Sequence, residues 1–297
     1  MTSDIMTSDI SAAEIIDGHK HAQILLDSVA VELEGLAHAP GLAVVLVGDD
    51  PASHIYVRGK IKMAQRLGLS GEAAILPDSV TEAELLAVIA ALNTRDDIDG
   101  ILVQLPLPAH INTLRVMAAI DPAKDVDGLH ALNAGRLLHG ADALVPCTPL
   151  GCLKLIKSLI PDLTGRHAVV IGSSNIVGKP MAALLLDERA TVTQTHIHTR
   201  DTQFICRGAD ILVSAVGKPG LVRGDWIKPR AIVIDVGTTR VERPDGGYDV
   251  RGDVAFEEAV RVAGAITPVP RGVGPMTIAC LMENTVKAAK ARLARGR

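Results

Sequence analysis

Short, continuously apolar runs alternate with longer amphipathic segments through the first half of the chain. The runs have the length and character of strands buried on both faces, and they are predicted at residues 42–47, 73–76 and 100–104. Helical patterns cover residues 12–36, 79–93 and 112–120, and another helix follows the first strand. Because strands that alternate with helices form parallel sheets with right-handed crossovers, the pattern predicts an α/β fold.

The pattern restarts after Pro146-Cys147-Thr148-Pro149, where we place a domain boundary. Strands and glycine-bearing turns then alternate with helices, which is typical of a Rossmann-type nucleotide-binding domain. Strands are predicted at 168–171, 191–195, 211–214 and 231–236, and helices at 150–160, 181–186 and 277–295. We therefore predict two α/β domains with a cleft between them. The first comprises residues 1–148 plus 277–297, and the second is a Rossmann-type, parallel-sheet domain over 149–276.

Composition narrows the classes of function. The 297 residues carry a net charge of −4 without a block of like charge, which argues against nucleic acid and membrane surfaces as partners. No apolar run reaches the roughly 20 residues of a membrane helix. The four cysteines are scattered without C-x-x-C spacing, so we expect no metal, no disulfide framework and a cytoplasmic location.

The first residues contain a short repeat, since Met-Thr-Ser-Asp-Ile occurs at Met1 and again at Met6. No basic region precedes an apolar stretch there, so we expect no secretion signal. We also expect the residues before Ser11 to add nothing to function.

Candidate acid–base chemistry lies on the helix that follows the first strand. Ser53 is predicted to cap this helix, so Tyr56 and Lys60 lie four residues apart on one face. Open α/β sheets bind ligands at the carboxyl ends of their strands, where this helix begins. Burial disfavours the charged form of a lysine, so a lysine there can accept and return a proton near neutral pH. An exposed helix, with Lys60 and Lys62 in water, is the alternative.

Two other polar features are candidates for chemistry, and the first of them lies at the same sheet edge. Gln104 ends the strand over 100–104, and a buried glutamine requires hydrogen-bond partners, for which a nearby lysine is suited. A polar residue that merely ends a strand is the alternative. Lys124-Asp125-Val126-Asp127-Gly128 brings two carboxylates into a loop, where they could bind metal, act as acid and base, or form a solvated turn.

A nucleotide-binding turn is predicted where the strand over 168–171 runs into Gly172-Ser173-Ser174-Asn175-Ile176-Val177-Gly178. A strand, a glycine turn and a helix N-terminus together bind phosphate through free backbone N–H groups, although this turn lacks a full G-x-G-x-x-G. The next strand ends in His196-Ile197-His198-Thr199-Arg200. It lacks the Asp or Glu that usually binds the ribose hydroxyls of NAD, and its cationic residues suit a 2′-phosphate better.

Taken together, the motifs resemble the bifunctional methylenetetrahydrofolate dehydrogenase/methenyltetrahydrofolate cyclohydrolase family, over nearly the whole chain. The resemblance rests on the order and spacing of Tyr56-x-x-x-Lys60, Val103-Gln104-Leu105-Pro106-Leu107-Pro108, Lys124-Asp125-Val126-Asp127-Gly128, Pro146-Cys147-Thr148-Pro149, Ile176-Val177-Gly178 and the closing loop Thr267-Pro268-Val269-Pro270-Arg271-Gly272-Val273-Gly274-Pro275-Met276-Thr277. The prolines and glycines of that loop predict a rigid backbone that can approach a ligand closely.

The resemblance implies oxidation of 5,10-methylenetetrahydrofolate with NADP, hydrolysis of the product to 10-formyltetrahydrofolate, and a homodimer through the Rossmann domain. It implies that Lys60 is the general acid/base, that Gln104 tunes it, and that Tyr56 and Asp127 complete the catalytic set. The implied substrate-binding residues are Tyr56, Asp127, Pro268, Gly272, Val273 and Pro275. The implied cofactor-binding residues are Gly172, Ser173, Ser174, Ile176, Val177, His196, Ile197, Arg200, Ala215, Val216, Gly217, Gly237 and Thr238.

The sequence departs from the family pattern around the cofactor. Ser173 stands where the family commonly has Arg, Ile197 where it often has Ser, and Thr238-Thr239 where it has Ile-Asn. NAD is therefore an alternative to NADP, and we hypothesise that Arg200 or His196 supplies the missing positive charge. Arg271 also replaces a usual glycine, and it could meet the glutamate tail of folate or face solvent.

Other functions fit the sequence less well. Short-chain dehydrogenases also use Tyr-x-x-x-Lys with a glycine turn, but there the turn precedes the pair. A folate-binding protein without activity would be expected to have lost Lys60 or Gln104, and both are present. An enzyme that keeps only one of the two activities is the remaining alternative.

Overall fold

Parallel sheets form the cores of this chain, in a computed structural model that describes residues 12–243 and 245–295. The helices are α1 (Gly18–Glu34), α2 (Pro51–Arg66), α3 (Glu82–Thr94), α4 (Thr113–Ala119), α5 (Ala131–Leu138), α6 (Cys147–Leu159), α7 (Gly178–Asp187), α8 (Thr202–Cys206), α9 (Phe256–Ala259) and α10 (Val273–Arg295). The strands are β1 (Glu14–Ile15), β2 (Gly41–Val47), β3 (Ser70–Leu76), β4 (Gly100–Val103), β5 (His167–Ile171), β6 (Thr191–Thr195), β7 (Ile211–Ser214), β8 (Ile232–Asp235), β9 (Thr239–Glu242), β10 (Tyr248–Arg251) and β11 (Ala265–Ile266).

The chain divides into two units. The first, the three-stranded unit, comprises His19–Leu153, Asn175–Leu184 and residues 275–295. Its sheet has the strand order β3-β2-β4, with all strands parallel. Every residue of β2 is buried, and Val45 belongs to the core formed with Leu85 of α3. Burial on both faces explains the uninterrupted apolar run of this strand.

From Pro275 onward, helix α10 belongs to the same unit. The Asn284 side-chain N–H group donates to the carbonyl oxygens of Val126 and Val145, at 2.9 and 2.8 Å. Further along the helix, Arg292 Nε donates to the buried Asp99 at 2.7 Å. Asp99 also accepts the Gly41 N–H at 3.0 Å, so one carboxylate joins α10 to the start of β2.

The second, six-stranded unit comprises residues 12–18, Lys154–Ser174 and Leu185–Gly274. Its strand order is β1-β11-β8-β7-β5-β6, and all neighbouring strands are parallel. The chain passes from β5 to β6 and then returns past β5 to β7. Open α/β sheets bind ligands at the carboxyl ends of the strands where the strand order reverses in this way. Strands β9 and β10 form a separate antiparallel ribbon.

Helices α1 and α2 do not begin as predicted. Helix α1 begins at Gly18 rather than at residue 12, because Glu14–Ile15 instead pairs with Ala265–Ile266 as an edge strand. Helix α2 is capped by Asp50 rather than by Ser53, since the Asp50 carboxylate accepts the Ser53 N–H at 2.9 Å.

Other differences lie in stretches that were predicted to be loops or had no predicted element. Helix α5 lies in the stretch after Gly128 for which no element was predicted, and the β9–β10 ribbon was not predicted either. Helix α10 begins at Val273 rather than at Thr277, so Val273 and Pro275 belong to its first turn instead of the closing loop. A proline is tolerated there because the first-turn N–H groups have no partner within the helix.

The repeat at Met1 and Met6 lies outside the described residues. Within residues 12–243 and 245–295, none of the helices combines the length and apolarity required to cross a bilayer.

Candidate active site

Helix α2 places Lys60 on its buried face. The Asp50 cap and Pro51 fix the start of the helix, and the Ser53 hydroxyl donates to the Asp50 carboxylate at 2.8 Å. From there the buried residues recur at helical spacing as Ser53, Val57, Lys60 and Ala64. Lys60 is only 9% exposed, so its ammonium has limited access to water and requires a protein hydrogen-bond partner.

Gln104 provides one of those groups. Lys60 Nζ donates to Gln104 Oε1 at 2.9 Å, and the Gln104 amide N–H donates to the Leu105 carbonyl oxygen at 2.8 Å. The second bond fixes the orientation of the amide, so its oxygen faces the ammonium. The Gln104 backbone N–H donates to Val45 O at 2.8 Å, which continues the pairing with β2 beyond β4.

The charged residues of the loop over Lys124–Gly128 have different surroundings. Lys124 Nζ donates to the carbonyl oxygens of Asn93 and Arg95, at 2.8 and 2.7 Å, and so binds the end of α3. The Asp125 carboxylate accepts the His130 N–H at 2.8 Å and the Asn133 side-chain N–H at 2.9 Å. Burial raises the pKa of Asp125 to about 6. These two residues therefore hold the loop.

Asp127 instead faces a pocket. Burial raises the pKa of its carboxyl, while the Lys60 ammonium and a hydrogen bond from the Cys147 thiol act in the opposite direction. The turn that presents it requires Gly128, whose φ is +68° and where an added Cβ would lie 2.5 Å from Pro146 N. Any larger residue would displace the segment that begins α6.

The pocket has a volume of about 170 Å³ and lies within the three-stranded unit. It brings together Lys60, Gln104 and Asp127. It is lined by Lys60, Leu102, Val103, Gln104, Leu105, Asp127, Leu129, Pro146, Cys147, Thr148, Ile176 and Thr277. An acid and an amine that face one small cavity can bind a polar ring edge and transfer a proton.

Several lining residues were absent from the predicted site. Thr148 and Thr277 share a hydrogen bond of 3.0 Å between their hydroxyl oxygens, and Cys147 lies beside Asp127. All three occur in motifs that the sequence analysis singled out, which is the signal that could have found them. Ile176, predicted to contact the cofactor, lines this pocket.

Tyr56 lies one helical turn before Lys60, but its side chain is 52% exposed and it does not line the pocket.

Pro275 lies in the first turn of α10. Pro268, Gly272 and Val273 belong to the six-stranded unit. There an added Cβ at Gly272 would lie 2.5 Å from Pro268 O, so this loop folds closely on itself.

The predicted cofactor turn begins at Gly172. Its N–H donates to Thr195 O at 2.9 Å, its φ is +122°, and an added Cβ would lie 2.3 Å from the Ala215 carbonyl oxygen. Glycine is therefore required for β5, β6 and β7 to meet at this point. Ser173, Ser174 and Ile176 are exposed, and Val177 is half-buried.

The loop after β6 contains the histidines. His196 Nδ1 accepts the His198 N–H at 3.2 Å, so the neutral imidazole carries its proton on Nε2. Ile197 is 92% exposed, and His198 and Arg200 are also exposed. The side-chain hydroxyl of Thr195, buried at the end of β6, has no hydrogen-bond partner among the described residues.

The loops after β7 and β8 are held from behind by two buried aspartates that the sequence analysis did not identify. Asp253 accepts the N–H groups of Val216 and Lys218, and Asp235 accepts that of Gly237. Ala215, Val216, Gly217, Gly237 and Thr238 all lie in these loops. The predicted cofactor residues of the six-stranded unit therefore follow β5, β6, β7 and β8 at the carboxyl edge of the sheet, an arrangement that fits a dinucleotide.

Two family models match the chain. The tetrahydrofolate dehydrogenase/cyclohydrolase catalytic domain covers residues 16–127, and the tetrahydrofolate dehydrogenase/cyclohydrolase NAD(P)-binding domain covers residues 146–293. This chain belongs to the tetrahydrofolate dehydrogenase/cyclohydrolase family. The resemblance predicted from the sequence motifs is confirmed, as are the two-domain α/β fold and the NAD(P)-binding domain.

Similar proteins extend over nearly the whole chain. It is 58% identical over 283 residues to the bifunctional protein FolD of Gluconobacter oxydans, which covers 94% of this chain and 93% of that protein. The structure is similar to the bifunctional enzyme FolD from Campylobacter jejuni, with a TM-score of 0.90 and 45% identity over 95% of this chain and all of that one. It is also similar to the Trypanosoma brucei enzyme complexed with NADP and an inhibitor, with a TM-score of 0.91 and 39% identity over 95% and 99% of the chains.

Proposed function

We propose that this chain oxidises 5,10-methylenetetrahydrofolate to 5,10-methenyltetrahydrofolate with NADP and hydrolyses the product to 10-formyltetrahydrofolate. The observation that carries the assignment is the pocket in which the buried Lys60, held by Gln104, faces the same small volume as Asp127. The family to which the chain belongs and its bifunctional relatives support the two activities.

Hydrolysis of the methenyl cation requires movement of protons. A C–O bond forms between water and the bridging carbon, the bond from that carbon to N5 breaks, and one proton is released overall. In its neutral form Lys60 accepts a proton from the attacking water and returns one to N5 as the ring opens. Gln104 suits this role because an amide oxygen holds Nζ in place without competing for its proton. A positioned acid/base of this kind contributes typically about 10²–10⁴-fold.

Oxidation requires mainly orientation, because the carbon that loses hydride is already activated by two nitrogens. NADP, when bound, supplies the hydride acceptor. The residues that would hold it are those at the carboxyl edge of the six-stranded sheet, with Gly172 giving the backbone its close approach. Arg200 or His196, in the loop after β6, would meet the 2′-phosphate in place of the arginine that Ser173 replaces.

The substrate-binding roles follow from the pocket. The Asp127 carboxyl would bind the amide and amino edge of the pterin, since it is half-buried, lines the pocket and lies near the Lys60 ammonium, which favours its charged, accepting form. The Tyr56 ring, exposed one turn before Lys60, would cover the folate ring system. Pro268, Gly272, Val273 and Pro275 would also contact the folate.

Two separate assays test the function. Purified protein with methylenetetrahydrofolate is expected to reduce NADP, and the decay of added methenyltetrahydrofolate is expected to exceed the rate in buffer. Formation of NADPH without accelerated methenyl decay, or the reverse, would favour the single-activity alternative. Reduction of NAD with a higher kcat/KM than NADP would favour the NAD alternative, and no turnover in either assay would refute the proposal.

We also infer a homodimer through the six-stranded unit and a cytoplasmic location. The β9–β10 ribbon supports the first, because a two-stranded ribbon has open edges that can pair with another chain. Cys147, Cys152, Cys206 and Cys280 are buried and none of them forms a disulfide among the described residues, which is consistent with a reducing compartment. Light scattering after size-exclusion chromatography is expected to give twice the 31.2 kDa chain mass, and a monomer would refute the inferred assembly.

A further inference from the structure

Two carboxylates are buried behind the loops that follow β7 and β8. Asp235 and Asp253 are 4% and 0% exposed. Within residues 12–243 and 245–295 neither forms an ion pair with a lysine, arginine or histidine. A buried charge without a cation is costly unless hydrogen bonds compensate for the lost water. The hydrogen-bond donors around these two carboxylates therefore indicate what the two side chains do.

Asp253 joins two ends of the loop that follows β7. Its Oδ2 accepts the Val216 N–H at 2.7 Å and the Ser214 hydroxyl at 3.2 Å, and its Oδ1 accepts the Lys218 N–H at 2.8 Å. The two backbone donors flank Gly217, whose φ is +68°. Both carboxylate oxygens are thus used to fix one short turn.

Asp235 in turn fixes Asp253. Its Oδ1 accepts the backbone N–H groups of Gly237 and Asp253, both at 2.9 Å, and its Oδ2 accepts the Val254 N–H at 2.9 Å. One carboxylate therefore holds the turn after β8 and the backbone that carries the other carboxylate. Burial raises the pKa of Asp235 to about 7, with the Asp253 charge adding to the rise, while the hydrogen bonds from the backbone N–H groups act in the opposite direction.

The packing against this pair leaves no space for a side chain at Gly237 or at Gly252. An added Cβ at Gly237 would lie 2.3 Å from Asp253 Oδ1, and one at Gly252 would lie 1.9 Å from Asp235 Oδ2. Because these distances are so short, both segments require glycine at these positions. The turns after β7 and β8 therefore take their positions directly from the two carboxylates.

We propose that Asp253 is a positioning residue for the dinucleotide: its carboxylate, anchored through Asp235, sets the turn from Ala215 to Gly217 in the position that binds the cofactor. The role rests on the proposed function, because these turns act only if the carboxyl edge of the six-stranded sheet binds NAD(P). Asp253 does not itself touch substrate or cofactor. Its effect is exerted through the backbone of Val216 and Lys218.

The test is Asp253→Asn, which keeps the shape of the side chain but offers one acceptor oxygen to two N–H groups. We expect the Kd for NADP, measured by calorimetry, to rise at least about tenfold. The kcat for methenyltetrahydrofolate hydrolysis should stay within about twofold, because Lys60 and its pocket belong to the three-stranded unit. Faster hydrogen exchange is expected at Val216 and Lys218 but not in β5.

Asp210→Asn is the matched control. Asp210 also accepts a backbone N–H, that of His167 at 2.9 Å, but at the opposite edge of the same sheet, where β5 begins. Its variant is expected to lower the melting temperature and to leave the Kd for NADP unchanged.

An Asp253→Asn protein that binds NADP as tightly as the wild type would refute the positioning role alone. So would a parallel loss of hydrolysis and NADP binding, since this would indicate general unfolding. A wild-type protein that binds neither NADP nor NAD would refute the proposed function, and this role with it.

Discussion

Replacing Lys60 with Met tests the proton transfer most directly. The substitution keeps the length of the side chain and removes the ammonium, leaving Gln104 Oε1 without its donor at 2.9 Å. It also removes the charge that opposes the rise in the pKa of Asp127. Hydrolysis of methenyltetrahydrofolate is expected to slow by about 10²–10⁴-fold, the range for a positioned acid/base.

The same variant is expected to be at least as stable as the wild type. Loss of a hydrogen bond to a charged group costs about 1.5–3 kcal/mol. Lys60 is only 9% exposed, and removing a buried charge recovers a desolvation penalty of several kcal/mol. We therefore expect the free energy of unfolding to change by less than about 1 kcal/mol or to increase. A large loss of activity without a loss of stability distinguishes a catalytic residue from a structural one.

The assay follows the absorbance of the methenyl compound, corrected for its decay in buffer, beside urea unfolding of the same preparation. Lys62→Met is the matched control, because Lys62 lies on the same helix but is exposed. It should retain the wild-type rate. A folded Lys60→Met protein that opens the methenyl ring at the wild-type rate would refute the assignment of the acid/base.

Three further outcomes are expected. Gly172→Ala would place a Cβ 2.3 Å from the Ala215 carbonyl oxygen. The Kd for NADP, measured by calorimetry, should therefore rise at least about tenfold, while the rate of methenyltetrahydrofolate hydrolysis is unchanged. A Kd equal to that of the wild type would show that the turn adapts to the added Cβ. Arg200→Ala should lower the kcat/KM ratio of NADP to NAD by about tenfold, and an unchanged ratio would eliminate Arg200 as the 2′-phosphate ligand. The pKa of Asp125 is raised from 3.8 to about 6, so its contribution to stability is complete below pH 3.8 and is lost as the pH rises through 6. Asp125→Asn should therefore flatten the free energy of unfolding between about pH 4 and 7, by up to about 3 kcal/mol in urea titrations, and an unaltered slope would contradict that assignment.

The strands could be predicted because each satisfies a local rule. The run at β2 is apolar throughout since it is buried on both faces, and β5, β7 and β8 follow the same pattern. Strand β1 could not be predicted, because its two residues gain strand geometry only by pairing with Ala265–Ile266. The sequence pattern of residues 12–36 favours a helix throughout, but pairing with Ala265–Ile266 makes Glu14–Ile15 a strand.

Part of the candidate site follows from topology alone. Lys60 and Gln104 each follow a parallel strand at its carboxyl end, so the sequence could place them at one sheet edge, where they form a hydrogen bond. Distinguishing Asp125 from Asp127 was not possible, since both lie in one loop and only the packing of His130 and Asn133 makes Asp125 structural. Asp253 escaped notice for the same reason: its donors are more than thirty residues away.

The pairing of β1 with β11 has a consequence for synthesis on the ribosome. Residues 14–15 leave the exit tunnel long before residues 265–266, the partners that complete their sheet edge. The three-stranded unit also depends on residues that are synthesised late. Val126 and Asp99 accept hydrogen bonds from Asn284 and Arg292 of α10. Nascent chains of this protein should therefore keep the β11 edge of the six-stranded sheet open until residues 265–266 have emerged, and should lack the helix that binds Val126 and Asp99 until residues 284–292 have emerged.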